Sequence, residues 1–121
     1  MKLVSREVLY PSPGKGTLVY GDSFYTNAKG VELLASRSVE TRSDLIDSME
    51  LRRSYDNGRS WGAPVEQKVV EKTPKGMRRL FLMPGWADPA TDRLLMMVIE
   101  GVLPADDALE DGMRHYYLRY R

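Results

Sequence analysis

Short apolar–polar alternations recur along this chain, and most have the two-residue period of a β-strand rather than the longer period of a helix. Thr17-Leu18-Val19-Tyr20 and Ser23-Phe24-Tyr25-Thr26 are rich in β-branched and aromatic residues and predict two short strands. Asn27-Ala28-Lys29-Gly30 predicts a turn, and residues 31–39 the next strand. Residues 48–54 predict a third, with Met49 and Leu51 on one face and Glu50 and Arg52 on the other. Residues 63–71 alternate around Val65, Val69 and Val70. Further strands are expected over 78–86, 93–102 and 115–121, separated by a turn at 88–92 and an acidic loop at 104–112.

Helix signals are few. Residues 43–48 predict one turn capped by Ser43, and residues 105–110 another; neither is long enough to stand as a packed helix. A weak internal repeat is present. Leu33-Leu34 answers Leu94-Leu95, and Leu51-Arg52-Arg53 answers Leu118-Arg119-Tyr120, with the register of the second match open by a residue or two.

Composition narrows the classes. With 121 residues, 42% hydrophobic and 29% charged, the chain is one globular domain or part of one. A net charge of +1, with both signs interspersed, gives no pull towards nucleic acid or an anionic membrane. There is no cysteine, so disulfides, a thiol nucleophile and thiolate metal sites are excluded. The longest apolar run, Leu94 to Ile99, is far too short for a membrane helix, and Arg6 and Glu7 interrupt any signal-like core at the start.

The sharpest local feature is Ser54-Tyr55-Asp56-Asn57-Gly58-Arg59-Ser60-Trp61. Asp56 can accept hydrogen bonds from its own turn. Asn57 and Gly58 tolerate positive φ. Ser54 and Ser60 can tie the two arms, and Trp61 can bury a large ring beneath them. Such a turn is a structural staple and does not itself name an activity.

Other candidates have plainer readings. His115 lacks His or Cys partners and is not expected to hold a metal. Tyr116, Tyr117 and Tyr120 suit either a sugar-stacking platform or cross-strand packing. Trp86 fits a channel mouth or, more simply, a core or inter-blade position. The run Asp106-Asp107-Ala108-Leu109-Glu110-Asp111 has the composition of a calcium loop without its alternation, so a solvated loop is expected.

The eight-residue turn and its surroundings, from Val31 through Arg37 and Leu51-Arg52-Arg53-Ser54 to Trp61, resemble the first blade of the sialidase (neuraminidase) superfamily, whose Asp-box (BNR) repeats close β-propeller hairpins. The resemblance implies an all-β fold of sialidase-like β-propeller blades, each a four-stranded antiparallel meander, in an incomplete ring. Residues 1–76 would be the first blade, with its Asp-box at 54–61, and 77–121 the start of a second. It further implies a sialidase-like glycoside hydrolase fragment, inactive alone, that removes a terminal sugar. Asp44 is the expected general acid/base, being in the polar half of the loop between the second and third strands, with Asp47 the second choice. Arg37 and Arg42 are the candidate substrate-binding residues. The family's tyrosine nucleophile would lie beyond Arg121.

No arginine occupies Tyr20-Gly21-Asp22-Ser23, where the family places the first of three that hold a sugar carboxylate. A non-catalytic carbohydrate-binding or interaction propeller is therefore the alternative. Neither metal nor cofactor is implied. The expected partner is a glycan, with no nucleic acid and no membrane, and open blade edges could support self-association. Family habit favours a secreted or periplasmic location.

Overall fold

The computed structural model describes residues 6, 8, 10, 11, 13–42 and 44–109, and the backbone alone of strand Met113–Tyr120. Among these residues the chain is all β, in antiparallel sheets that do not close. Among the described residues no helix is long and apolar enough to cross a membrane.

The first sheet begins with β1 (Leu18–Tyr20) and β2 (Ser23–Tyr25), two pieces that both pair with β3 (Leu33–Glu40). β3 pairs with β4 (Ser48–Ser54), and β4 with β5 (Val65–Gln67). The second sheet runs in order β6 (Val70–Thr73), β7 (Gly76–Asp88), β8 (Arg93–Leu103) and β9 (Met113–Tyr120). Every neighbouring pair is antiparallel, the arrangement that short connections allow.

The predicted strand over 63–71 is divided between the sheets. Gln67 pairs with Met49 in the first, and Val70 with Arg79 in the second, with only Lys68 and Val69 between them. The Val69 carbonyl accepts from the Leu80 amide at 2.8 Å, so the crossing residue is already tied to β7. A segment that hands itself from one sheet to the next makes a corner and fixes the two layers relative to each other. The sheet change therefore falls at Lys68 and Val69 rather than near residue 76.

Among the described residues the predicted helical turns are absent. Arg42 and Leu45 form an isolated antiparallel bridge, with Asp44 at φ 59°. The loop after β8 turns at Asp106, φ 55°. Both are left-handed positions that Asp tolerates and a helix does not use. Ser43 lies outside the described residues.

The internal repeat has a structural counterpart. β2–β3–β4 and β7–β8–β9 are both three-strand meanders. Leu34 faces Arg53 in the first, and Leu94 faces Tyr120 in the second. Leu34 and Leu94 are 4% and 7% exposed. Matching them moves the leucine correspondence by one residue, to Leu34 with Leu94. That is the offset which puts both side chains inside, since a one-residue slip would reverse each strand's faces.

The core lies between the layers. Ile46, Met49 and Val69 are buried together, and Tyr20, Leu51, Leu80, Phe81 and Leu82 pack around them. Trp86 is not in this core: it is 59% exposed. The reason is an irregularity in β7: the register with β8 shifts between Leu82 and Gly85. Gly85 then takes the inward position. A Cβ there would come within 2.7 Å of Phe24, 2.8 Å of Leu94 and 2.9 Å of Met96. Its neighbour Trp86 is turned outward.

Gly85→Val should therefore destabilise the fold by about 1–3 kcal/mol through overpacking. A urea-unfolding midpoint equal to that of the parent chain would show that the sheets do not approach so closely at this point.

Candidate functional site

The turn at Ser54–Trp61 is held by a network of short hydrogen bonds. Ser54, 1% exposed, donates its hydroxyl to Asp56 Oδ1 at 2.8 Å and accepts the Gly58 amide at 2.8 Å. The Ser60 amide donates to Asp56 Oδ1 at 2.8 Å, and its hydroxyl to Asp56 Oδ2 at 2.6 Å. Asn57 and Gly58 take φ 58° and 81°, which lets the chain reverse within the turn. The Gly62 amide bonds the Arg53 carbonyl and closes the base of the hairpin. Trp61 is half-buried beside Gly58. Hydrogen bonds from the Ser60 hydroxyl and amide, then from Ser54, hold the Asp56 carboxyl down to about 2.

At the other end of the layers, the loop between β3 and β4 meets the loop between β8 and β9. Asp106 joins them. Its carboxylate receives Arg79 Nε at 2.5 Å and Nη2 at 2.9 Å, a bidentate fork. Arg42 Nη2 reaches the same carboxylate at 2.6 Å, and its Nη1 the Asp106 carbonyl at 3.1 Å. Arg79 is only 5% exposed and also donates to the Ile46 carbonyl at 2.6 Å. The Arg79 hydrogen bond, helped by Arg42, brings the Asp106 carboxyl down to about 2 against the opposing effect of burial.

Beside this clamp is a cavity of about 240 Å³, lined by residues including Tyr20, Glu40, Asp44, Arg79 and Phe81. The Tyr20 hydroxyl donates to Glu40 Oε1 at 3.0 Å, and Glu40 is buried. Burial, then that hydrogen bond, raises the Tyr20 phenol above its ordinary value. Tyr20 is thus kept as a neutral donor.

The expected site residues are dispersed over this frame. Asp44 is exposed at the cavity rim, at the left-handed corner of its turn. Asp47 accepts the Thr41 amide at 2.7 Å and hydroxyl at 2.8 Å, and lies 3.6 Å from Arg79. Burial pulls its carboxyl upward, but the Thr41 bonds and Arg79 outweigh it and leave the carboxyl below its ordinary value. That favours the ionised form, the opposite of what a proton donor needs.

Arg42 is occupied by Asp106. Arg37 pairs with Glu50 at 3.3 Å and lies over the Tyr10 ring at 5.8 Å. By strand alternation it is on the opposite face of β3 from Glu40. The structure therefore does not bring Arg37 to Asp44.

Arg79 was not singled out from the sequence, and Asp106 was expected in a solvated loop. The signal that finds them is spatial: their partners are distant along the chain. Among the described residues no group of three or more His, Cys, Asp or Glu is placed to hold a metal ion. The side chains of His115, Tyr116, Tyr117 and Tyr120 lie outside the described residues. Comparison of the chain with protein-family models, with curated proteins and with solved structures finds no match.

Asp106→Ala should cost about 1.5–3 kcal/mol, the worth of hydrogen bonds to a charged group, because it strands the buried Arg79. Chemical denaturation measures this, and a loss below about 0.5 kcal/mol would mean that the clamp is a solvated contact.

Acid should also weaken the fold. Asp56 and Asp106 have folded values near 2, below the ordinary 3.8, so the unfolded chain takes up protons first. Their stabilisation is present above about pH 4 and lost as pH falls through about 2. Unfolding midpoints between pH 5 and pH 2 should decline, and less steeply in Asp56→Asn and Asp106→Asn. Equal slopes in all three proteins would contradict the assignment.

Proposed function

We propose that this chain forms two blades of a sialidase-like β-propeller and supplies Asp44 as the general acid of a glycoside hydrolase. The observation that carries the reading is the pair of meanders, β2–β3–β4 and β7–β8–β9, whose corresponding loops meet at one end through Arg42 and Asp106. Neighbouring propeller blades repeat in this way, with equivalent loops on one face of the ring. The Asp-box closes the hairpin between β4 and β5, in keeping with the family's blade.

In this reading Asp44 stands at the rim of the loop face and delivers a proton to the departing glycosidic oxygen. Tyr20, Glu40 and Arg79 shape the floor of the adjoining cavity. The remaining blades, with the nucleophile, come from further chain or from further copies.

A second reading, a carbohydrate-binding propeller without hydrolysis, is favoured by one set of contacts. Arg37 and Arg42 are each neutralised by a carboxylate, and Asp47 is kept ionised. A site built this way has no free cation from these residues for an acidic sugar.

In an assembled propeller containing this unit, Asp44→Asn should lower the hydrolysis rate of a terminal sialoside or neutral glycoside by ~10²–10⁴-fold, with glycan binding retained. Hydrolysis at the parent rate would remove Asp44 from the chemistry. Glycan binding with no turnover by either protein would support the binding-only reading.

A further inference from the structure

Between the layers, at the Asp-box end, lies a larger cavity of about 780 Å³. Leu34 and Leu51 wall it from the first sheet, and Leu82, Leu94 and Met96 from the second. This volume is within the range of sites that take a small organic ligand, and its walls are predominantly apolar. Trp61 and Arg53 stand among its lining residues.

The charges at the rim are unequal in availability. Asp56 also reaches the lining, but both its oxygens are occupied by the serines of its own turn. Arg53 differs from Arg37, Arg42, Arg78 and Arg79, each of which has a carboxylate partner. Among the described residues no carboxylate pairs with Arg53. An apolar chamber with one available guanidinium at its rim selects a molecule with a hydrocarbon body and a single anionic head.

We propose that this cleft binds a medium-chain monocarboxylate, with its hydrocarbon tail between the sheets and its carboxylate on the Arg53 guanidinium. The proposal is independent of the reading of Asp44, which belongs to the opposite end of the layers. The guanidinium fork matches two carboxylate oxygens, whereas a neutral alcohol of the same length gains only the apolar part.

The test uses the whole chain with decanoate, kept below its micelle concentration, and decanol as the neutral control. In Trp86→Phe the remaining tryptophan, Trp61, reports on the cleft. Decanoate should change its fluorescence saturably and bind at least tenfold more tightly than decanol. Arg53→Gln, at an exposed position, should remove that difference without loss of folding. Calorimetry on the unmodified chain gives the same comparison without relying on fluorescence. No saturable decanoate binding by either method would overturn the proposal. So would equal affinities for the acid and the alcohol, or a doubling of mass in light scattering with the cleft closed to both probes.

Discussion

A buried guanidinium must have its charge answered, and in this protein the answer comes from another part of the chain. Arg79 lies near the start of the long strand β7, almost wholly removed from water. Its charge is met by Asp106, and one of its donors by the Ile46 carbonyl. Neither partner is local in sequence. The Ile46 carbonyl and Asp106 therefore both meet at Arg79 on β7, over the core. Arg42 adds a second cation to the same carboxylate and draws the two loops to one end of the layers. Leaving this constellation incomplete would strand a charge in low dielectric, which is costlier than the pair is worth when whole.

The turn at Ser54–Trp61 stabilises the opposite end by different means. Its serine–aspartate hydrogen bonds fall within seven residues, and Asn57 adds two from the same sheet's β2–β3 hairpin, accepting from the Tyr25 hydroxyl and donating its amide to the Val31 carbonyl. It fixes the hairpin between β4 and β5, and with it the point from which the chain crosses into the second sheet. The close approach at Gly85 then completes the arrangement, since the absence of a side chain there lets Phe24 reach Leu94 and Met96. One end is held by long-range charge pairing, the other by a turn whose carboxylate contacts are local. Between the layers, packing leaves two cavities of unequal character.

The sequence made legible whatever depends on neighbours along the chain. The turn at Ser54–Trp61 could be read because the partners of Asp56 lie between Ser54 and Ser60. The strands around Leu34, Met49 and Leu94 could be read because alternation is a local property. Trp86 could not, because the irregularity between Leu82 and Gly85 reverses the alternation and carries no sequence mark beyond Pro84-Gly85. The division of residues 63–71 between two sheets was equally hidden, since an edge strand that changes sheets keeps its β pattern throughout. Of the candidate site, the position of Asp44 in a polar loop was visible. The capture of Arg42 by Asp106, 64 residues away, was not. Long-range pairing of charges has no periodicity to read.

The central claim is that the two sheets face each other with Phe24 against Gly85 and Met96. Nuclear Overhauser contacts in the isotopically labelled chain test it most directly. Cross-peaks are expected from the Phe24 ring protons to the Gly85 α-protons and the Met96 side chain. Their absence, with the contacts within each sheet intact, would contradict the packing of the layers and the clamp built upon it.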